Sequence, residues 1–262
     1  MIVKNERRVI RRCLEALKEH IDYWVIVDTG STDGTQELIK ECLRGYPGEL
    51  HERPWHNFEH NRNEALRLAE NKMDYILFVD ADEIIHFSPD FNKDRLDQDY
   101  YLIKTVAADL EFYIVKLIKD DSLWNWVQVL HEFIQHTGSV SGETLKTIWT
   151  ESVQDGARSK DPEKMKIDIE ILQTAIKKDP QNARRVFYLA QTYRANKNKQ
   201  KALETYQIRA KMSGEKDETF WSLFCIGQLQ EELGFSPLDY LKSYDKAYQF
   251  DPTRAEPLER MA

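Results

Sequence analysis

Two carboxylates stand close together directly after an apolar run near residue 80. Residues 75–79 are apolar, and they lead into Asp80, Ala81 and Asp82. Carboxylates two residues apart at the end of a strand can bind a hard divalent cation through oxygen, with a diphosphate supplying further ligands. Paired acids at a strand end also serve nucleotidyltransferases and phosphatases, and a solvated turn has the same composition. The motif alone therefore leaves these interpretations open.

A further acidic residue follows another apolar run. Asp28 follows residues 23–27 directly, and a turn rich in glycine, serine and threonine leads from it to Thr35. A strand that passes through such a turn into a helix presents a carboxylate and backbone N–H groups together, where a base, a ribose or a phosphate can bind. The alternative is a purely structural turn, because residues 31–33 are good helix caps. Both interpretations can hold together.

These acidic residues need a scaffold that brings strand ends to one edge. The first half of the chain alternates short apolar runs with helical patterns, which is typical of parallel strands joined by crossover helices. Residues 23–27 and 75–79 are almost entirely apolar, so we expect central strands buried on both faces. Helices are predicted at residues 35–43 and 61–71, a first strand at 1–3, and strands that extend the sheet at 101–106, 112–118 and 130–135. The first strand is short, so either it consists of this stub or the natural chain begins earlier.

The second half of the chain has a different pattern. A polar turn at residues 156–162 is followed by helical periodicity to the end, so we place a domain boundary there, with domains at 1–156 and 157–262. Asp179-Pro180 and Asp251-Pro252 each follow an apolar residue three positions earlier and lie 72 residues apart. This separation is close to the length of two tetratricopeptide-type helical hairpins. This spacing favours tetratricopeptide-like repeats, with an ordinary helical bundle as the alternative.

Composition excludes several classes of protein. The 262 residues carry a net charge of −8, which gives no general basic field for nucleic acid. The apolar runs are far shorter than the roughly 20 residues of a membrane-spanning helix. Three widely spaced cysteines fit neither a disulfide framework nor a zinc site. We therefore expect a cytoplasmic protein without a membrane span and without a nucleic-acid partner.

Four motifs together resemble a known family. Residues 1–6, 27–35, 60–66 and 78–83, in this order and spacing, resemble family 2 glycosyltransferases with the GT-A fold. The resemblance continues through residues 126–132, 155–159, 187–191 and 254–258, so it covers nearly the whole chain. It implies an α/β fold with a Rossmann-like mixed sheet and flanking helices, followed by an all-α tetratricopeptide-like domain.

The resemblance also implies roles for individual residues. It assigns these residues to nucleotide-sugar binding: Val3, Glu6, Asp28, Arg62, Asp80 and Ala81. Asp80 and Asp82 match the D-x-D pair that holds Mn²⁺ or Mg²⁺. The cation would bridge the diphosphate of the donor and neutralise the charge that grows on the leaving nucleotide.

An inverting transferase also needs a base that removes the proton of the acceptor. By analogy with other inverting GT-A enzymes, we predict Glu132 as this base and His131 as a neighbour that orients it or contacts the metal. The expected function is transfer of a sugar from a nucleoside diphosphate, most simply a uridine one, to an acceptor that is a peptide, a glycan, a lipid or a small molecule.

Two alternatives belong to other classes. The chain could be an interaction scaffold whose transferase domain is inactive and whose tetratricopeptide-like groove binds a protein partner. A nucleotidyltransferase is the second alternative, and it would release pyrophosphate instead of a nucleoside diphosphate.

Overall fold

The computed structural model describes residues 1–262 and divides them into two compact units. The first consists of Met1–Gln128 with Glu132–Asp161, and the second of Val129–His131 with Pro162–Ala262. The units divide at Asp161, whereas the sequence placed a domain boundary after residue 156. None of the helices combines the length and the apolar composition that crossing a membrane requires.

The first unit mixes strands and helices. Its elements are β1 (Ile2–Val3), α1 (Ile10–Leu17), β2 (Trp24–Asp28), α2 (Thr35–Cys42), β3 (Gly48–Glu52), α3 (Phe58–Ala69), β4 (Tyr75–Leu77), β5 (Glu83–Phe87), β6 (Tyr100–Ala107), β7 (Leu110–Lys119), β8 (Trp124–Val127), β9 (Phe133–His136) and β10 (Gly142–Ser152). The predicted α/β class is confirmed for this unit. The predicted strand at residues 130–135 is wrong at its start, since β9 begins only at Phe133.

The first three strands form a parallel sheet in the order β1-β2-β3. Ile26 on β2 packs with Ile10 of α1 and Ile39 of α2 in one core cluster, and all three side chains are buried. The apolar run that predicted β2 is therefore explained by helices that cover this sheet. The carboxyl end of β2 lies at Asp28, where the candidate site begins.

The remaining strands do not pair with that sheet, which corrects the predictions that strands after residue 100 extend it and that residues 75–79 form a central strand. β4 lies at the edge of a separate five-stranded sheet in the order β4-β7-β6-β10-β5. Only β10 and β6 pair in parallel there, while the other neighbours are antiparallel. β8 and β9 form a hairpin of their own. The local pattern identified most strands, but it contains no information on which strands become neighbours.

A cavity of about 640 Å³ in the first unit is lined by residues of both sheets. Ile2 and Val25 contribute from β1 and β2, and Ile76 and Leu77 contribute from β4. The first strand is as short as the sequence predicted, because β1 contains only Ile2 and Val3. The sheet edges at β1 and β4 therefore border one cavity, whose lining also includes charged residues such as Arg62, Lys72 and Asp74.

The second unit is entirely helical after residue 162, as predicted. It contains α4 (Lys164–Lys178), α5 (Ala183–Ala195), α6 (Lys199–Arg209), α7 (Lys216–Glu232), α8 (Pro237–Phe250) and α9 (Glu256–Met261). Each helix packs on the next one along the chain. The side chains of Asn182 and Asn198 cap α5 and α6, and Pro237 opens α8, so local sequence sets these helix starts.

Candidate active site

Asp28 organises the turn that follows β2. Its Oδ1 accepts the N–H groups of Gly30 and Ser31 at 2.9 and 2.7 Å, and the residue is fully buried. Gly30 has a φ of +106°, a conformation that L side chains rarely adopt, so glycine is required there. The Oδ2 atom of Asp28 is buried and has no hydrogen-bond partner within the protein. The turn therefore has both its structural role and one unsatisfied acceptor.

Val3 and Ala81 present backbone rather than side chain to this region. Both side chains are buried in the core cluster beneath the first sheet. Val3 pairs in register with Asp28, and its carbonyl oxygen accepts the N–H of Thr29 at 2.9 Å. Any ligand contact of these two predicted binding residues would therefore involve main-chain atoms.

Arg62 connects two of the predicted acidic residues. Helix α3 carries it, and that helix begins at the side-chain cap of Asn57. Its Nη2 donates to the Asp80 oxygens at 3.0 and 3.2 Å, and its Nε donates to Glu132 Oε1 at 2.6 Å. The guanidinium also lies 4.9 Å from the centre of the Trp126 ring. The structure thus brings together Arg62, Asp80 and Glu132, three residues that the sequence assigned to the site.

The charge of Arg62 controls the ionisation of Asp80. Burial by itself would raise the pKa of Asp80, but the positive charges of Arg62 and Lys116 outweigh it and hold the pKa below its ordinary value. Asp80 is therefore ionised at neutral pH, and it can bind a cation or accept a hydrogen bond from a ligand.

The turn from Asp80 to Glu83 is fixed from below. Glu83 Oε2 accepts the Asp80 N–H at 2.9 Å, and the Asp80 carbonyl accepts the Glu83 N–H at 3.1 Å. Lys116 Nζ lies 2.6 Å from both oxygens of Glu83. Sequence reasoning did not single out Lys116, and its position inside an otherwise apolar stretch of β7 is the only signal that could have indicated it.

Asp82 and Glu6 face each other around Gly156. Asp82 Oδ2 accepts the Gly156 N–H at 3.3 Å, and Glu6 Oε2 accepts the Ala157 N–H at 3.1 Å. Burial and the neighbouring carboxylates raise the pKa of both residues. An added cation would relieve this excess of negative charge, so the oxygen donors fit Mn²⁺ or Mg²⁺ in chemistry. The protein brings no group of three or more metal-ligating side chains together, so a cation would need further ligands from a diphosphate or water.

Arg12 holds the segment that covers Asp82, and sequence reasoning missed it. Its guanidinium pairs with both oxygens of Asp155 and donates to the Asp82 carbonyl at 3.3 Å. The pair fixes the position of Gly156 and Ala157, whose N–H groups meet the two carboxylates. No local signal in the sequence links Arg12 with a residue 143 positions away.

His131 and Glu132 are adjacent in sequence but make different contacts. The His131 ring stacks on Tyr188, with ring centres 3.8 Å apart and 10° between the planes. His131 has a φ of +54°, which belongs to the left-handed region. Glu132 contacts Arg62 instead. The roles predicted for this pair stay predictions.

Comparison with known proteins shows which family shares these motifs. Residues 1–91 match the family described as Glycosyl transferase family 2. The resemblance to family 2 glycosyltransferases is confirmed. The matched residues include Glu6, Asp28, Arg62, Asp80 and Asp82.

Two curated relatives and one solved structure are similar to the chain. A TPR repeat-containing protein of Synechococcus elongatus is 36% identical over 42% of this chain and 26% of its own length. The SPbeta prophage-derived glycosyltransferase SunS of Bacillus subtilis is 30% identical over 45% of this chain and 25% of its own. The match thus spans about a quarter of each relative. The crystal structure of S. aureus TarS 1–349 is 15% identical, with a TM-score of 0.45 over 99% of this chain and 87% of that chain.

Proposed function

We propose that the chain is a metal-dependent, inverting glycosyltransferase that moves a sugar from a nucleoside diphosphate, uridine diphosphate in the first instance, to an acceptor in the cytoplasm. The observation that carries the proposal is that Arg62 contacts both Asp80 and Glu132. Arg62 and Asp80 lie within residues 1–91, which match a glycosyltransferase family, and Glu132 lies beyond that match. The three buried free cysteines agree with a reducing compartment.

The donor would lie at the ends of β2 and β4. The unsatisfied Oδ2 of Asp28 can accept an N–H of a base or a ribose hydroxyl. Arg62 would face the diphosphate, because a guanidinium matches the geometry of phosphate oxygens. Its contact with Asp80 keeps both side chains ordered before the donor arrives.

A divalent cation would be held by Asp82 together with Asp80. When bound, it would supply positive charge to the diphosphate as that group leaves. The raised pKa of Asp82, caused by burial and by the charge of Asp80, indicates too little positive charge around Asp82 and so supports a cation there.

Glu132 would accept the proton of the acceptor. Arg62 contacts its Oε1 at 2.6 Å, which leaves Oε2 for the acceptor hydroxyl. The Glu132 side chain is only 11% exposed, so a proton taken up there is shielded from bulk water. Efficient transfer requires that the base lies within hydrogen-bond distance of that hydroxyl. A role of His131 beside Glu132, and a protein partner for the helical unit, stay predictions.

The experiment combines binding with turnover. The purified chain is incubated with UDP-linked and GDP-linked sugars, with and without Mn²⁺, while thermal stability and donor hydrolysis are measured. We expect stabilisation and slow hydrolysis with one UDP-sugar and Mn²⁺. An inactive scaffold would hydrolyse none of the donors, and a nucleotidyltransferase would release pyrophosphate.

Variants then test the base. Glu132→Gln is expected to abolish hydrolysis and transfer while donor binding persists, because glutamine keeps the shape but cannot take the proton. Glu111→Gln on β7 is the matched control, since Glu111 is exposed and pairs only with Lys104. Near-normal turnover of Glu132→Gln would contradict the assignment.

A further inference from the structure

Two charged side chains are buried beneath the turn that carries Asp80 and Asp82. Glu83 begins β5 and Lys116 lies on β7, and each residue is only 5% exposed. Glutamate and lysine are almost never buried to this degree unless they are paired. Here Lys116 Nζ lies 2.6 Å from both carboxylate oxygens.

A buried ion pair is a poor means of stabilising a fold. The cost of removing both charges from water offsets much of their attraction, and apolar residues of similar volume often serve equally well. The contact with the turn gives the pair a second task. Lys116 fixes the Glu83 carboxylate so that Oε2 meets the Asp80 N–H at 2.9 Å. An apolar pair could fill the same space but could not accept this hydrogen bond.

We propose that Glu83 and Lys116 are positioning residues that hold the main chain of Asp80, so that its carboxylate meets Arg62 and the donor. The role in donor binding rests on the proposed function. The strand order supports the assignment, because Lys116 also accepts the Phe78 N–H through its carbonyl oxygen at 2.7 Å. Lys116 therefore holds the chain at two points: directly at Phe78 before the turn, and through Glu83 at Asp80 where the turn begins.

The alternative is that the pair only fills the core. Glu83→Leu/Lys116→Met removes both charges and keeps similar volume, so the variant is expected to fold. Exchange of the Asp80 amide with deuterium is expected to become at least about tenfold faster, and the Kd for UDP with Mn²⁺ to rise about tenfold, because one hydrogen bond is lost. Glu83→Gln retains an acceptor oxygen and is expected to keep the slow exchange of wild type.

A matched control separates positioning from general loosening. Glu218 in the helical unit is also buried and accepts from Arg184 and Arg209. Glu218→Gln is expected to lower the melting temperature without changing UDP affinity or Asp80 exchange.

The proposal is overturned if the folded double variant keeps wild-type Asp80 exchange and UDP affinity. It is also overturned if Glu83→Gln exchanges as fast as the double variant, or if Glu218→Gln weakens UDP binding equally. Should the first double variant not fold, Glu83→Met/Lys116→Met is the second variant without an acceptor, because methionine adapts to irregular space. Failure of the wild-type chain to bind UDP would refute the proposed function, whereas Asp80 exchange would still decide the positioning role.

Discussion

Replacing Arg62 with methionine should destabilise the first unit through the two carboxylates that it serves. Arg62 and Glu132 are 15% and 11% exposed at their side chains, so their contact is largely shielded from water. Removing one partner of a buried ion pair typically costs about 3–5 kcal/mol, because the other charge stays buried without compensation. The Asp80 side chain is 44% exposed, so solvent screens its arm of the pair and we assign it at most about 1 kcal/mol. We therefore expect Arg62→Met to lower the free energy of unfolding by about 3–6 kcal/mol at pH 7.

The loss should depend on pH in a defined direction. Burial alone would raise the pKa of Asp80, but the positive charges of Arg62 and Lys116 lower it by more. The pKa in the folded protein is therefore below the pKa in the unfolded chain. Stability from this pairing is therefore complete above the unfolded pKa of roughly 4 and disappears as the pH falls through the folded pKa. The difference between wild type and Arg62→Met should be largest near neutral pH and should shrink below roughly pH 4 by at most the roughly 1 kcal/mol assigned to Asp80.

Urea denaturation followed by tryptophan fluorescence measures this difference. Every tryptophan except Trp221 lies in the first unit, so the signal reports mainly on that unit. Arg11→Met is the matched control, because Arg11 pairs with Glu41 at the surface, and its urea midpoint should not change. Equal stability of Arg62→Met and wild type at pH 7 would refute the reasoning. A deficit at pH 3 that is larger than the deficit at pH 7 would contradict the charge pairing of Asp80 with Arg62.

Three further predictions concern other parts of the chain. Gly227→Ala would place a Cβ 2.6 Å from Cε1 of the buried Tyr244, so we expect the free energy of unfolding to fall by about 1–3 kcal/mol, measured by calorimetry. An unchanged melting temperature would count against close packing of α7 and α8. Hydrogen bonds with Lys72, Tyr23 and His51 lower the pKa of Glu49 to about 2. Lys72→Met should raise this pKa towards its ordinary value in an NMR titration of the carboxyl group. An unchanged pKa would exclude Lys72 as the main cause. A short run of β-branched apolar residues placed before Met1 should enter the cavity of about 640 Å³ and raise the melting temperature, while a serine run of equal length should not. Equal effects of the two extensions would show that the cavity does not accept a strand.

The fold was predictable where local pattern decides it. Apolar runs located β2 and β4 within one or two residues, and the helical periodicity after residue 162 gave an all-helical second unit. The sheet was less predictable, because strands separated by many residues compete for the same backbone hydrogen bonds. The pairing of β10 with β6 and β5 illustrates this, since β10 was not predicted and yet lies between two other strands.

The sequence by itself determined the chemistry that is available: carboxylates after apolar runs, a glycine-containing turn, an arginine on a helix and a resemblance to glycosyltransferases. Each of the motifs behind these features consists of residues that are near one another in the chain. Only the tertiary structure decided that Arg62 meets Glu132 across 70 residues and that Lys116 meets Glu83 across 33. The physical reason is that such contacts form only after the sheets assemble, and their energy depends on burial and on exact partners that no local pattern specifies.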